Sequence, residues 1–225
     1  MVRKIFQFVL ALAIIALAYV LYDQIMSPLQ FDKTAAIRQE AVIERIKDIR
    51  SAEQAYKQVY NKYTDNFDTL INFVLTGELE FSKQIVSEDD SAGLAQLKKL
   101  GKQNIEKFTV PVIDTIFGEK IMTPEDVKQI RYIPHTNNIE YRLEAGDLTT
   151  ASKVVVPVFE CRAPYKLYLD TVAYRQNIIN LIDDRVNNFN AYAGLKFGSM
   201  EGSNNEAGIK VGSMVQATND AGNWE

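Results

Sequence analysis

The chain has 225 residues, of which 47% are hydrophobic and 24% are charged, a composition typical of a globular protein rather than a disordered one. The formal net charge of −4 disfavours nucleic-acid binding, because neutralising phosphates requires a clustered basic surface. A single cysteine, Cys161, excludes an intramolecular disulfide and a zinc site built from several thiolates.

The N-terminal segment predicts a membrane span. Residues 5–22 contain no charged side chain, and Gln7 is their only polar residue apart from two tyrosines. As a helix this stretch measures about 27 Å, close to the hydrocarbon thickness of a bilayer. Arg3 and Lys4 precede it and Asp23 follows it, so the positive-inside rule places the N-terminus in the cytoplasm. We therefore expect a single-pass bacterial inner-membrane protein, with the lipid bilayer as a partner and its C-terminal domain in the periplasm.

A cleaved signal peptide is the alternative for the same segment. Ala16-Leu17-Ala18 has the small-x-small form of a cleavage site, and cleavage there would leave a mature N-terminus at Tyr19. The apolar run continues past this triplet to Tyr22 and exceeds the usual core of a signal peptide. We therefore expect an anchor that is retained.

Proline is expected to interrupt the helix after the span. Ser27-Pro28 has the form of a break, and a second helix is predicted from about Thr34, as its N-cap, to Tyr63. An apolar and aromatic stripe recurs along it at three- and four-residue steps, with Glu53 as a polar position; the other members are Val42, Ile46, Ile49, Tyr56, Tyr60 and Tyr63. Two interpretations stay open: an amphipathic helix packed on its own domain, or a coiled-coil stalk that pairs with another copy or another envelope protein.

Helices and strands then follow in separate blocks, which predicts an α+β fold with an antiparallel sheet. The cues are helix caps, glycine stops and prolines in a first turn. The predicted elements are a helix over residues 66–75 that ends at Gly77, a weak strand over 79–86, a helix capped by residues 88–91 that runs to about Lys107, and a helix start or a turn at residues 123–126.

The strongest strand pattern lies in the second half of the body. The predicted elements here are a strand over residues 139–143, a turn over 144–147, a strand over 153–161 and one amphipathic helix over 165–189. Pro157 indicates an edge strand or a bulge, because proline donates no ladder hydrogen bond. Cys161 shares a strand face with Phe159, so we expect a buried small hydrophobic residue rather than a nucleophile.

A short tandem repeat ends the chain. Residues 195–208 read LKFGSMEGSNNEAG, and residues 209–222 read IKVGSMVQATNDAG. Each copy has a strand-like start and a turn in which an amide or carboxylate side chain precedes glycine. A duplicated edge hairpin and a binding surface are both compatible with this pattern. Oxygen-rich side chains make Glu206, Asn219 and Asp220 weak calcium candidates, without the spacing of an EF-hand.

Catalytic patterns are missing from the sequence. His135 is the only histidine, and its neighbours from Ile133 to Asn138 have the composition of a surface turn. Multi-histidine metal sites are therefore excluded, and neither a GxxxxGK loop nor a GxGxxG motif occurs. We expect a protein that is not an enzyme and that uses no cofactor, with calcium as the single candidate ion.

The chain resembles type IV pilins and type II secretion pseudopilins. The resemblance rests on the apolar N-terminal helix, its amphipathic continuation and the ending; the residues concerned are Tyr56, Tyr60, Tyr63, Thr64, Phe67, Leu70 and the sequence NDAGNWE at residues 219–225. Lys4 stands where those families have glycine, and the apolar stretch lacks their acidic residue. The architecture equally resembles inner-membrane assembly-platform proteins of the same machines, and the tail and body resemble envelope proteins of Gram-negative bacteria.

Together these patterns predict a membrane-anchored structural or assembly subunit of a cell-envelope machine or filament. A tethered periplasmic binding module or enzyme is the alternative. We divide the chain into a cytoplasmic stub and membrane anchor (residues 1–28), a stalk helix with a short second helix (29–76), an α+β domain (77–194) and a repeat with its tail (195–225).

Overall fold

The computed structural model describes residues 2–87, 89–101, 103–187 and 207–225, and it has an α+β fold. A long N-terminal helix is followed by short helices and two small antiparallel sheets, so the predicted α+β class and the antiparallel pairing are confirmed. The helices are α1 (Val2–Tyr60), α2 (Phe67–Thr76), α3 (Ser91–Lys99), α4 (Val112–Phe117), α5 (Pro124–Gln129), α6 (Tyr165–Tyr168) and α7 (Arg175–Asn187), and the strands are β1 (Glu78–Gln84), β2 (Ile105–Pro111), β3 (Arg142–Thr149), β4 (Val155–Pro164) and β5 (Gly208–Gly212).

Helix α1 is continuous for 59 residues, or about 88 Å, so the predicted break at Ser27-Pro28 is wrong. Proline removes one backbone hydrogen bond from a helix, and at an exposed position solvent or lipid headgroups satisfy the freed carbonyl. Thr34 is not an N-cap, because its hydroxyl donates to the Gln30 carbonyl 2.9 Å away inside the helix. The membrane-type segment and the amphipathic segment are thus one element.

The C-terminal half of α1 lies at the centre of the fold. It contacts β4 and β5 of the three-stranded sheet and also contacts α2 and α4. Val42, Ile46 and Ile49 are fully buried in this core. The Tyr141 hydroxyl donates to the Val42 carbonyl across 3.1 Å, which ties the segment before β3 to α1. Half of α1 therefore serves as the core element around which the body folds.

Strand β4 is the middle strand of the sheet β3-β4-β5, which corrects the prediction of an edge strand or bulge at Pro157. Strand β5 pairs only with residues 160–164 of β4, so Pro157 lies where β3 is the sole partner among the described strands. The backbone groups of Lys210 and Gly212 bond the tail, so Ile209 and Val211 bond β4 at its odd-numbered residues. Backbone direction alternates along a strand, so the nitrogen of Pro157 points to this same side, which is open beyond the end of β5. The missing N–H therefore costs no ladder hydrogen bond.

Two further boundaries differ from the prediction because of long-range contacts and local turns. The turn predicted over residues 144–147 is part of β3, whose pairing with β4 continues to Thr149. The helix predicted over residues 165–189 is two helices, because Leu169 is extended and the Asp170 carboxylate accepts hydrogen bonds from the amides of the next turn. Phe189 lies outside the described residues.

Local capping signals gave the most accurate predictions. Asn66 caps α2 by accepting from two amides, and Gly77 ends this helix. Thr123 and Asp126 form a capping box at the start of α5, with proline in the first turn. Asp90 caps α3, but that helix ends at Lys99 rather than near Lys107, because Gly101 adopts φ +65° and β2 begins at Ile105.

Candidate functional site

The N-terminal half of α1 is an exposed apolar surface. By its length and composition this helix could cross a membrane. The described part of the body buries none of its most apolar 18-residue segment. Ile5, Phe6 and Tyr22 each expose more than 60% of their surface. Soluble proteins rarely expose a continuous apolar surface of this size, so the segment fits a membrane span or a signal sequence.

The predicted interaction stripe is buried inside the chain. Val42, Ile46, Ile49, Tyr56 and Tyr63 all belong to the core, as the interpretation of an amphipathic helix on its own domain predicts. Tyr60 is the exception, with 52% of its surface exposed beside Tyr56 and Phe73. The stripe therefore lacks the free surface that a coiled-coil seam along α1 requires.

The C-terminal tail, residues 213–225, docks on α1 beside the sheet. Arg50 donates to the Glu225 carboxylate across 2.6 Å, and Gln54 donates to the Asp220 carboxylate across 3.3 Å. Tyr63 donates its hydroxyl to the same Asp220 oxygen across 2.7 Å. Arginine binding lowers the pKa of Glu225, and the buried hydroxyl of Tyr63 has a raised pKa. Arg50 and Gln54 of α1, together with Tyr63 just after that helix, thus hold the end of the chain.

Tail residue Asn223 also extends the sheet. Its backbone N–H donates to the Lys210 carbonyl, and its side chain accepts from the Lys210 amide and donates to the Gly208 carbonyl. The Gly212 amide donates to the Ala221 carbonyl in the same arrangement. Strand β5 is therefore paired on both sides, between β4 and the tail.

Glu53 is the most unusual titratable group of α1. Its side chain is fully buried; Oε2 accepts from the Thr64 amide across 3.1 Å, whereas Oε1 has no hydrogen-bond partner among the described residues. Burial raises the pKa of Glu53 to about 8, the Thr64 amide opposes this shift, and Asp220 and Asp65 add to it. The carboxyl group is therefore protonated in the folded protein at neutral pH.

A second buried charge cluster lies on the opposite face of the sheet from α1. Glu160 of β4 pairs with Arg162 on the same strand and with Lys210 of β5, whose Nζ lies 3.6 Å from Glu160 Oε2. The Met214 amide donates to the same carboxylate across 3.3 Å. Burial lowers the pKa of Lys210, and Glu160 counteracts this effect. The cluster ties β4, β5 and the start of the tail together.

A cleft of about 210 Å³ opens between the tail and the end of β4 that pairs with β3 but not with β5. Lys57 of α1 lines it together with Pro157 and Phe159 of β4 and with Asn219 and Asp220 of the tail. The Lys57 ammonium group donates to the Tyr63 hydroxyl and lies 4.6 Å from that ring. One cation and one carboxylate thus face a small polar opening.

The calcium candidates are only partly described. Asn219 and Asp220 form the predicted turn with φ of 55° and 60°, and the Asp220 carboxylate already accepts from Tyr63 and Gln54. Glu206 and the first repeat copy, up to residue 206, lie outside the described residues. Among the residues that are described, no group of three or more His, Cys, Asp or Glu could hold a metal ion. Calcium binding stays a prediction.

His135 lies in an exposed turn with φ 62°, as its sequence surroundings predict. The same loop is closed by the Thr136 hydroxyl, which donates to Ile133 and accepts from Ile139. His135 is distant in sequence from the tail, and it does not line the cleft beside β4. The structure thus gives no geometric support for a triad at this residue within the described chain.

Cys161 is buried in the core, as predicted. Burial raises the pKa of its thiol, so the reactive thiolate is scarce. We expect the native chain to give almost no reaction with a disulfide thiol reagent at pH 8, and one equivalent after unfolding in guanidinium. Fast stoichiometric labelling of the folded protein would contradict this placement. A Val172→Cys variant, whose position is 92% exposed, provides the reactive control in the same fold.

Sequence reasoning identified Glu53 as a polar position in the stripe, but it missed the residues that hold the tail. Arg50 and Glu225 are separated by 175 residues, and no local pattern links them. The asparagine of the Gly-Asn-Trp ending is the one available sequence signal for tail docking, because the Asn223 side chain makes two hydrogen bonds to the backbone of β5.

Comparison with protein-family models, curated proteins and solved structures found no match to this chain.

Proposed function

We propose that the chain is a single-pass inner-membrane subunit with a structural or assembly role in a cell-envelope machine or filament. Its N-terminus lies in the cytoplasm and its α+β body in the periplasm. One observation carries the proposal: α1 exposes its apolar N-terminal half and buries its C-terminal half in the core of the body. A helix shared between bilayer and core fixes the body at the membrane surface.

Tail docking supports a mechanical role. The tail binds the same half of α1 through Arg50 and Gln54 and the segment after α1 through Tyr63, and it pairs with β5. Force on the body is therefore transmitted to α1 through the core, the sheet and the chain end together. A tethered domain that only displays a binding site would need no such shared element.

A two-stranded arm offers an assembly surface. Strands β1 and β2 form their own sheet, and neither outer edge is paired within the described chain. Phe81 and Phe108 stack across the arm with ring centroids 5.9 Å apart, and Phe108 keeps 45% of its surface exposed. Open strand edges with neighbouring aromatic rings are the elements that pair with other chains. We assign contact with another envelope protein or another copy to this arm.

The anchor is tested by alkaline extraction of membranes. We expect the wild-type protein, with its N-terminal sequence intact, to stay in the pellet at high pH. Leu12→Arg, near the middle of the span, adds roughly 3 kcal/mol to the free energy of insertion and should move much of the protein to the soluble or degraded fraction. Ile121→Arg, at a position that is 98% exposed on the body, is the matched control and should stay in the pellet. A mature N-terminus at Tyr19 would establish the signal-peptide alternative.

The assembly role is tested by photocrosslinking in membranes. A crosslinker at Phe108 should give discrete products with a protein partner or another copy, whereas one at Lys166, on an exposed surface away from the arm, should give few. A strictly monomeric protein with no product at either position would refute the role.

The cleft lined by Lys57 and Asp220 favours one second candidate, a tethered binding module. If the protein is a binding module, Lys57→Met should give the same phenotype as deletion of the whole protein. Crosslinking from position 108 should then be unchanged.

A further inference from the structure

The loop between α6 and α7, residues 169–174, descends along α1 toward its apolar end. The Arg38 guanidinium donates to the Tyr168 carbonyl across 2.7 Å. The ring of Tyr174, at the other end of the loop, packs on Phe31 with 5.5 Å between centroids. Arg38 and Phe31 are seven residues apart, which is about 10 Å of helix rise. The loop thus runs parallel to α1 in the direction of the span.

The lower contact of this loop lies close to the end of the apolar stretch. Phe31 follows Tyr22, the last residue of that stretch, by nine residues, or about 14 Å along the helix. Met26 and Ser27, only four and five residues after Tyr22, are already half-buried, whereas residues 3–25 are exposed. The headgroup layer extends roughly 5 to 8 Å beyond the hydrocarbon on each side. The body therefore reaches the headgroup layer at Met26 and Ser27, whereas the contact of Tyr174 with Phe31 lies roughly 6 Å or more above that layer.

Val172 is the apolar residue that this loop presents. Its side chain is 92% exposed, although the loop on both sides is fixed: Leu169 is buried, and Tyr174 is half-buried on α1. The Asp170 carboxylate accepts from the amides of Val172 and Ala173 across 3.0 and 2.9 Å, which also lowers the pKa of that carboxyl. The turn is therefore held in one shape with a branched aliphatic side chain pointing away from the protein.

Charge does not select the partner of this surface. The exposed charged residues in and beside the loop are Lys33, Lys166 and Arg175, against Asp32 and Asp170, which leaves one net positive charge. A single net charge gives an anionic protein or a polyphosphate only a weak, salt-screened attraction to this surface. Binding to a lipid surface needs no attraction between charges, because burial of apolar side chains supplies the driving force for it.

We propose that residues 169–174 face the periplasmic surface of the bilayer and that Val172 reaches down into the headgroup layer. This contact rests on the membrane anchor proposed above, since the continuous helix α1 sets the height of the loop. It gives the body a second point of attachment and so fixes its rotation about α1, which a single helix leaves free.

The test compares fluorophores on single introduced cysteines in the full-length protein. Native Cys161 is buried and gives little background. Val172→Cys reports the loop, and Ala13→Cys reports the middle of the span. Ile121→Cys is the matched control: its position is 98% exposed, and the adjacent Lys120 pairs with Asp48, about 39 Å along α1 from Tyr22. Each variant carries a nitrobenzoxadiazole label in phosphatidylcholine vesicles that contain lipid with a nitroxide near the headgroup or deep in the acyl chain.

We expect the headgroup nitroxide to quench the label at position 172 several-fold more than the label at 121, and the deep nitroxide to quench the label at 13. Replacing part of the phosphatidylcholine by phosphatidylglycerol should change neither result. Equal quenching at 172 and 121, with position 13 quenched, would overturn the loop contact and leave the anchor intact. Quenching at 172 only in anionic vesicles would overturn apolar insertion in favour of adsorption by charge. Absent quenching at 13 would overturn the anchor and the loop contact together.

Discussion

Glu53→Gln is expected to remove most of the pH dependence of stability between pH 5 and 8. The folded chain keeps its proton on Glu53 up to about pH 8, whereas glutamate in an unfolded chain loses it near pH 4.5. The folded state therefore binds more protons in this window, and the wild-type free energy of unfolding falls as pH rises, by about 1.4 kcal/mol per pH unit. Across this window of three pH units the loss is roughly 4 kcal/mol at most, and glutamine carries no such cost.

The measurement is urea unfolding of the full-length protein in a fixed detergent, followed by the fluorescence of Trp224, the one tryptophan of the chain. We expect Glu53→Gln to be more stable than wild type at pH 8 and to approach it at pH 5. Glu44→Gln makes the same charge change on an exposed position of α1 and should shift stability by less than about 0.5 kcal/mol. Parallel pH profiles for wild type and Glu53→Gln would show that Glu53 is ionised in the folded state.

Elements that depend on neighbouring residues were predictable, and elements that depend on distant ones were not. Asn66 and Thr123 cap their helices through amides two or three residues away, so their side chains reveal the helix start in any context. Residues 144–147 have the composition of a turn, but β4 supplies pairing partners that are distant in sequence and holds them in a strand. Composition sets a preference of a few tenths of a kcal/mol per residue, which tertiary pairing overrides.

The candidate site shows the same division. The apolar stretch at residues 5–22 was evident from its length, because a bilayer imposes a dimension that a sequence must meet. Docking of the tail was not evident, because Arg50, Tyr63 and Asp220 come together only once α1 and the sheet are packed. Val172 belongs to the amphipathic helix predicted over residues 165–189, but the turn capped by Asp170 interrupts that helix and leaves Val172 92% exposed. A local turn that the helical pattern concealed thus makes this residue a candidate membrane contact.

Gly212→Ala is expected to destabilise the body by at least about 3 kcal/mol, since two separate costs act at this residue. Gly212 adopts φ +70°, a left-handed conformation that costs a residue with a side chain roughly 1 to 2 kcal/mol. A Cβ at this position would also overlap the backbone carbonyl oxygen of Phe159, which no side-chain rotation can relieve. Strand β5 would have to separate from β4, and the tail that pairs with Gly212 through Ala221 would move with it.

Two control glycines separate these costs. Gly101 has φ +65°, and a methyl group there would meet no described atom within 4 Å, so Gly101→Ala should show the conformational cost alone, roughly 1 kcal/mol. A Cβ on Gly146 of β3 would meet only the end of the flexible Met214 side chain at 3.2 Å, so Gly146→Ala should change stability by less than about 1 kcal/mol. Urea midpoints give all three values. Trp224 fluorescence in the absence of urea adds a readout of the tail, and only Gly212→Ala should change it. If Gly212→Ala costs no more than Gly101→Ala, β5 does not approach β4 as closely as the structure shows, and the tail must be held by its contacts to α1 alone.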